Sequence, residues 1–371
     1  MNTAITLMVV LLLPILFIWG EKKSKIVAII GPVLLCYGMG LLLGNIGLKW
    51  PKHFIEENVS VVAVPLAIPL LMFGSNPKTW RKLAPVALLS FAAGAVSVIL
   101  AIIAANIIWQ GEIDEISKIS AMLVGVYTGG TPNLTAIGTA LDVSKEMIPT
   151  LSVIDTVLCA IYLLVLLSIA EKALNFFLKP GVRIDTVAHQ NIRKSSQSIQ
   201  VQGLIAVLLS ATCLALGIGI SMIIKGQLDT VIILLSLTVL AFALSFSEKI
   251  NNLKPSYKIG EYLILVFCLA IGLISDFSVL VNTSGSLLAF CAFVVYASIL
   301  LHILFAKLLK IDTHHLMITS TAALFGPAFV GMVASKLKNP TLVVSGMTTG
   351  VIGYVIANIL GLTLFKILEI L

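Results

Sequence analysis

The chain has 371 residues, of which 59% are hydrophobic and only 11% charged, with a formal net charge of +7. Soluble proteins carry about 25% charged residues, so this composition describes a chain that lives in a bilayer and excludes a soluble enzyme or binding module. The basic excess is ordinary for that class, because Lys and Arg gather in cytoplasmic loops and beside anionic lipid, and nucleic acid is not implied as a partner.

Crossing about 30 Å of hydrocarbon takes roughly 20 apolar residues. Suitable stretches are expected at about 3–19, 26–48, 59–76, 83–110, 118–141 and 148–173, and then at about 201–224, 228–246, 259–275, 284–309, 313–335 and 341–366. The expected fold is an all-α polytopic membrane protein of 11 or 12 spans in one transporter domain, with repeats over about 26–173 and 228–366. The first stretch lacks a basic lead and is followed by Glu21, Lys22, Lys23, Ser24 and Lys25 instead of a small-residue cleavage site, so it reads as a retained helix. The longest polar stretch, 174–200, is too short for a soluble domain. Cys36, Cys159, Cys213, Cys268 and Cys291 lie in apolar runs without CxxC spacing and read as packing residues, not as a disulfide framework or a zinc site. The small residues of Gly31 to Gly38 and of Gly40 and Gly44 have helix-packing spacing.

Two apolar stretches are interrupted at corresponding places. Tyr127-Thr-Gly-Gly-Thr-Pro-Asn133 and Ala323-Leu-Phe-Gly-Pro-Ala328 set Pro132 and Pro327 195 residues apart. Gly129, Gly130 and Gly326 allow close backbone approaches, and Pro132 and Pro327 cannot donate the bond that continues a helix. Unsatisfied backbone groups are costly in lipid, so such breaks persist only when buried in protein or lining a watery cavity. A matched pair is the mark of a secondary transporter built from repeats, with half-helix ends facing a solute or ion. Thr128, Thr131, Asn133 and Thr135 around the first break, and Ser320 and Thr321 before the second, supply polar side chains.

Asp155 stands seven residues into its span, about 10 Å along a helix rising 1.5 Å per residue. An ionisable group so deep is a functional-site candidate. Following directly on the first broken segment, it is expected to face Thr131, Asn133 and freed carbonyls, and to bind sodium or exchange a proton there. The equivalent position in the second half is Gly350, so no second acid matches it. Glu261, His314 and His315 are expected at the membrane interface, and His302 is not assigned a relay or metal role. An HExxH motif and a second deep aspartate are both missing from the sequence, which argues against an intramembrane hydrolase.

Basic loops around Lys22, Lys78, Lys249 and Lys307, set against the acidic loop of Glu112, Asp114 and Glu115, give opposite orientations to equivalent helices, as an inverted repeat requires. Strict alternation over the six spans between the breaks gives parallel halves instead. The conflict centres on 174–200, and the loop charges are preferred.

Val64-Pro-Leu-Ala-Ile-Pro-Leu-Leu-Met-Phe73, Thr128 to Gly138 and Ile154 to Val157 resemble the first half of domain-of-unknown-function family 819, a family of prokaryotic membrane proteins. Phe325 to Ala334, Asn339 and Val343 to Tyr354 resemble its carboxy-terminal signature. That family is similar to the cation:proton antiporter and anion transporter superfamily, which includes bile-acid:sodium and glutamate:sodium symporters. The resemblance implies two crossed, discontinuous helices in a core domain that moves against a panel domain, often as a homodimer, in the plasma membrane. The expected function is sodium- or proton-coupled symport of a small solute by alternating access, with an organic anion or amino-acid-like solute preferred. A cation:proton antiporter is the alternative, ahead of a channel, and no cofactor is expected beyond Na+ or H+ as coupling ion.

Overall fold

The computed structural model describes residues 3–73, 77–144, 147–181, 198–275 and 284–370. In chain order the helices are α1 (Thr3–Lys23), α2 (Lys25–Ile30), α3 (Pro32–Asn45), α4 (Lys52–Ile55), α5 (Val61–Phe73), α6 (Pro77–Ile108), α7 (Ile116–Gly129), α8 (Thr131–Ala140) and α9 (Met147–Ser168). They continue as α10 (Ala170–Phe177), α11 (Ile199–Lys225), α12 (Thr230–Ser245), α13 (Glu248–Asn251), α14 (Pro255–Ile274), α15 (Gly285–Leu308), α16 (Thr313–Leu324), α17 (Val330–Lys336) and α18 (Leu342–Leu368). Among the described residues no strand forms, and eight helices are long and apolar enough to cross a membrane. The chain is an all-α, multi-pass membrane protein.

Several expected spans take other forms. Stretch 118–141 is α7 and α8, parted at Gly130, and 313–335 is α16 and α17, parted at Gly326 and a 3₁₀ turn at Pro327–Phe329. Stretch 26–48 is also broken, between α2 and α3 at Gly31, a break that its unbroken hydropathy concealed. Stretch 228–246 yields the 16-residue α12, whose start is fixed by Asp229 accepting from the Ile232 N–H at 3.1 Å. Stretch 148–173 stops at Ser168, and the short α10 follows. Most of the polar stretch, 182–197, lies outside the described residues.

The chain forms two compact units. The first comprises Met1–Ala84, Val182–Asp276 and Gly331–Ser345. Its close packing rests on small residues: a Cβ on Gly40 would collide with the Leu269 carbonyl, one on Gly44 would stand 2.6 Å from the Leu273 carbonyl, and one on Gly272 2.5 Å from that of Tyr37. The backbones of α3 and α14 therefore touch, as small residues permit in lipid. Gly40→Ala is expected to destabilise by about 1–3 kcal/mol through overpacking. Gly38→Ala, on the same helix but with no atom within 4 Å of its Cβ, should gain up to about 1 kcal/mol of helix propensity. Melting midpoints of the purified proteins should move in opposite directions.

The second unit comprises Pro85–Gly181, Phe277–Val330 and Gly346–Leu371. In chain order it holds most of α6, then α7, α8, α9 and α10, and after them α15, α16 and most of α18, while α17, which follows the break at Gly326, falls in the first unit from Gly331 onward. Leu342 opens α18 195 residues after Met147 opens α9, the same interval that separates the two break prolines.

Candidate functional site

Proline chemistry places both breaks. Pro132 has no N–H to offer the Thr128 carbonyl four residues earlier, and Pro327 has none for Ala323. The chain leaves helical geometry at the adjoining glycines, with φ 79° and ψ 176° at Gly130 and φ 82° and ψ 174° at Gly326. That region is open essentially to glycine alone, and the two breaks share it to within a few degrees. At the first, the Gly130 N–H closes α7 on the Val126 carbonyl at 2.7 Å. Asn133 then spans the gap, its backbone N–H donating to the Gly130 carbonyl at 3.0 Å and its Nδ2 to the Gly129 carbonyl at 2.7 Å. At the second, the Phe325 N–H donates to the Thr321 carbonyl at 2.9 Å.

The two breaks stand against each other. A Cβ built on Gly130 would lie 3.9 Å from the Gly326 Cα and 3.3 Å from the Tyr354 ring, and one on Gly326 would lie 3.1 Å from the Tyr354 hydroxyl. Tyr354 comes from α18, which faces both broken helices with a stripe of small residues at Gly346, Gly350, Gly353, Ala357 and Gly361. This three- and four-residue spacing keeps them on one helix face. A Cβ on Gly350 would be 3.0 Å from Pro327, and one on Gly361 2.7 Å from the Ala121 carbonyl. One on Gly353 would collide with the Thr128 carbonyl, the same carbonyl that Pro132 deprives of its helical donor.

The expected polar residues do not all converge on this point. Thr128, Gly129, Gly130 and Asn133 are buried at the first break, as are Gly326 and Pro327 at the second. The Thr128 hydroxyl has no hydrogen-bond partner. Thr131, Pro132 and Thr135 lie instead on an exposed face of α8. Ser320 bonds the Tyr162 hydroxyl at 2.9 Å, and Thr321 donates to its own helix at the Met317 carbonyl, 2.7 Å away, the usual habit of hydroxyls in membrane helices. Asp155 is buried, but its neighbours are not the expected ones. No hydrogen bond joins it to Thr131, which is exposed, or to Asn133, whose amide is turned onto Gly129. Its carboxylate accepts from the Cys159 thiol at 3.2 Å and faces Tyr127, three residues before the first break.

The histidines are enclosed by protein. His314 and His315 are buried, with His314 Nε2 3.2 Å from Glu171 of α10 and His315 Nδ1 2.5 Å from Asp312, which also caps α16. His302 is buried with Nε2 2.8 Å from the Ser90 carbonyl. Glu261 is partly buried in the first unit, where its carboxylate accepts from the Ser335 hydroxyl at 2.7 Å. Among the described residues no three His, Cys, Asp or Glu side chains converge on a metal position. A cation at the breaks would thus draw on oxygen donors already present, namely the buried Thr128 hydroxyl and the carbonyls of Thr128 and Ala323.

In the sequence Tyr354 figures only in the family signature, and neither it nor the α18 stripe is marked as part of a site. Their period was visible between 346 and 361, but nothing in it names the broken helices as the surface they meet.

Residues 7–371 match the family described as protein of unknown function (DUF819). The chain is also 24% identical over 361 residues to the uncharacterized membrane protein YjcL of Bacillus subtilis, with 92% of this chain and 90% of that protein covered.

Proposed function

The chain belongs to the DUF819 family, and from that membership and the paired breaks we propose that it is a secondary active transporter, carrying a small solute by alternating access under a sodium or proton gradient. The observation that carries this reading is the meeting of two glycine breaks of equal geometry beside Tyr354. Each break frees backbone groups that lipid cannot satisfy, and joining them concentrates those groups in one place. Along the chain, α6, the broken α7–α8 and α9, followed later by α15, the segment parted at Gly326 and α18, are read as inverted repeats, in keeping with the resemblance of this family to antiporters and anion symporters. The positive end of the helix dipole at the start of α8 suits an anionic solute group, while the carbonyls of Thr128 and Ala323 suit a cation. Asp155 is assigned the coupling role as the buried acid of α9, acting through Tyr127 on the last turn of α7.

Purified protein in liposomes should take up small organic anions or amino acids saturably, and only with an imposed sodium or pH gradient. Asp155→Asn, nearly isosteric, should abolish the dependence on the gradient while leaving the melting midpoint close to wild type. Coupled uptake unchanged in that variant would remove Asp155 from the mechanism. Current that rises without saturation would indicate a channel, and sodium-driven proton release without solute would indicate antiport.

A further inference from the structure

Within the second unit, α9, α10, α15 and α16 enclose a partly open cavity of about 160 Å³. Its walls are mainly apolar, with Val165, Leu166, Leu174, Ile303, Leu316 and Met317 among them. Three polar side chains also line it, and each is turned to a protein partner: Tyr162 and Ser320 bond each other at 2.9 Å, and His302 Nε2 lies 2.8 Å from the Ser90 carbonyl. A polar solute entering here would leave its own hydrogen bonds unmade. Hydrocarbon would lose nothing, and an apolar cavity of about 150 Å³ in another protein stays dry and takes benzene or xenon.

The surroundings identify which hydrocarbon is at hand. Val165 and Ile169 beside the mouth, and Leu300 and Leu304 on α15, are exposed, and both α9 and α15 are long and apolar enough to cross the membrane. The medium at the mouth is therefore acyl chains. Over one side runs α10, with Ala170 and Leu174 buried and Lys172, Phe176 and Phe177 exposed. This is the pattern of a short helix lying in the headgroup layer.

We propose that this partly open cavity holds a segment of one acyl chain of a bilayer phospholipid whose headgroup rests beside α10 at Lys172, so that the lipid braces the first half of the second broken helix. The wall reaches the break itself: Tyr162 stacks on Phe325, one residue before Gly326, with ring centroids 5.8 Å apart and planes 7° from parallel. A seated chain would hold Tyr162, and through it the approach to the break.

The test uses the full chain in liposomes doped with phosphatidylcholine bearing a diazirine within one acyl chain, followed by peptide mapping of the photoadducts. Adducts are expected on Leu166, Leu316 and Met317, which are buried and out of reach of lipid that merely surrounds the protein. Ala170→Phe, at a buried position that lines the cavity, should abolish those adducts and leave those on Leu300 and on Ile223 of α11 intact. The smaller Ala170→Leu should weaken them if the larger variant misfolds. Labelling confined to exposed residues, or buried labelling indifferent to both variants, overturns the proposal. Buried labelling from a diazirine fatty acid, undiminished by excess phosphatidylcholine, overturns the assignment to phospholipid. Because no solute enters the assay, its outcome is separate from that of the transporter reading.

Discussion

Alanine at Gly130 or at Gly326 should cost on the order of 1–3 kcal/mol of stability, the usual magnitude for a side chain forced into a sparsely populated backbone region, and should abolish solute uptake. Both positions hold φ near 80° with ψ near 175°, so a Cβ is strained whatever space surrounds it. The space is also scarce, since Tyr354 stands 3.3 Å from one added Cβ and 3.1 Å from the other. Gly226 provides the control. It too has positive φ, at 69°, but an added Cβ meets nothing within 4 Å, so Gly226→Ala should lower the melting midpoint and spare uptake. Because the two breaks touch, the double variant should depart from the sum of the single effects, as contacting sites do by about 0.5–3 kcal/mol. Strict additivity in a thermal-melt cycle, with uptake retained, would show that the breaks are independent kinks and not parts of one site.

The sequence announced the breaks because proline acts locally: losing a donor at 132 or 327 is a fact about four residues, whatever the tertiary structure. Hydropathy likewise located the long spans, since crossing lipid is a matter of length and composition. The break at Gly31 escaped because Gly31 and Pro32 sit within unbroken apolar sequence and read equally well as packing. Asp155 shows a different limit. Its position along α9 gives depth, and helix spacing gives Cys159 four residues on as a neighbour, but what it meets on other helices depends on how α9 is rotated about its axis, and that rotation turns the carboxylate to Tyr127 instead of Thr131 and Asn133. His314 follows the same rule, since nothing in the sequence beside it announces Glu171 of α10 as its partner. What the sequence withheld for Asp155 and His314 was which other helix lies opposite, a property of packing between separate segments of the chain.

Gly353→Val should be the most damaging single change in α18, stopping transport and destabilising the protein by about 3 kcal/mol or more, the upper range for overpacking. The reason is that the obstacle is backbone. A Cβ at 353 would collide with the Thr128 carbonyl and stand 3.0 Å from the Phe91 ring, and a carbonyl at a helix end cannot swing aside as a flexible side chain can. Moving it drags the last turn of α7, and with it Gly130 and the Asn133 clamp. Gly353→Ala separates this steric effect from helix propensity, which taken alone favours alanine over glycine by up to about 1 kcal/mol. Gly219→Ala on α11, where an added Cβ meets nothing within 4 Å, should show that gain undiluted as a raised melting midpoint. Gly353→Ala should instead melt lower than wild type and transport poorly, since the collision outweighs the propensity. If it melts higher and carries solute normally, α18 does not press on the first break, and Tyr354 and the glycine stripe must be removed from the site.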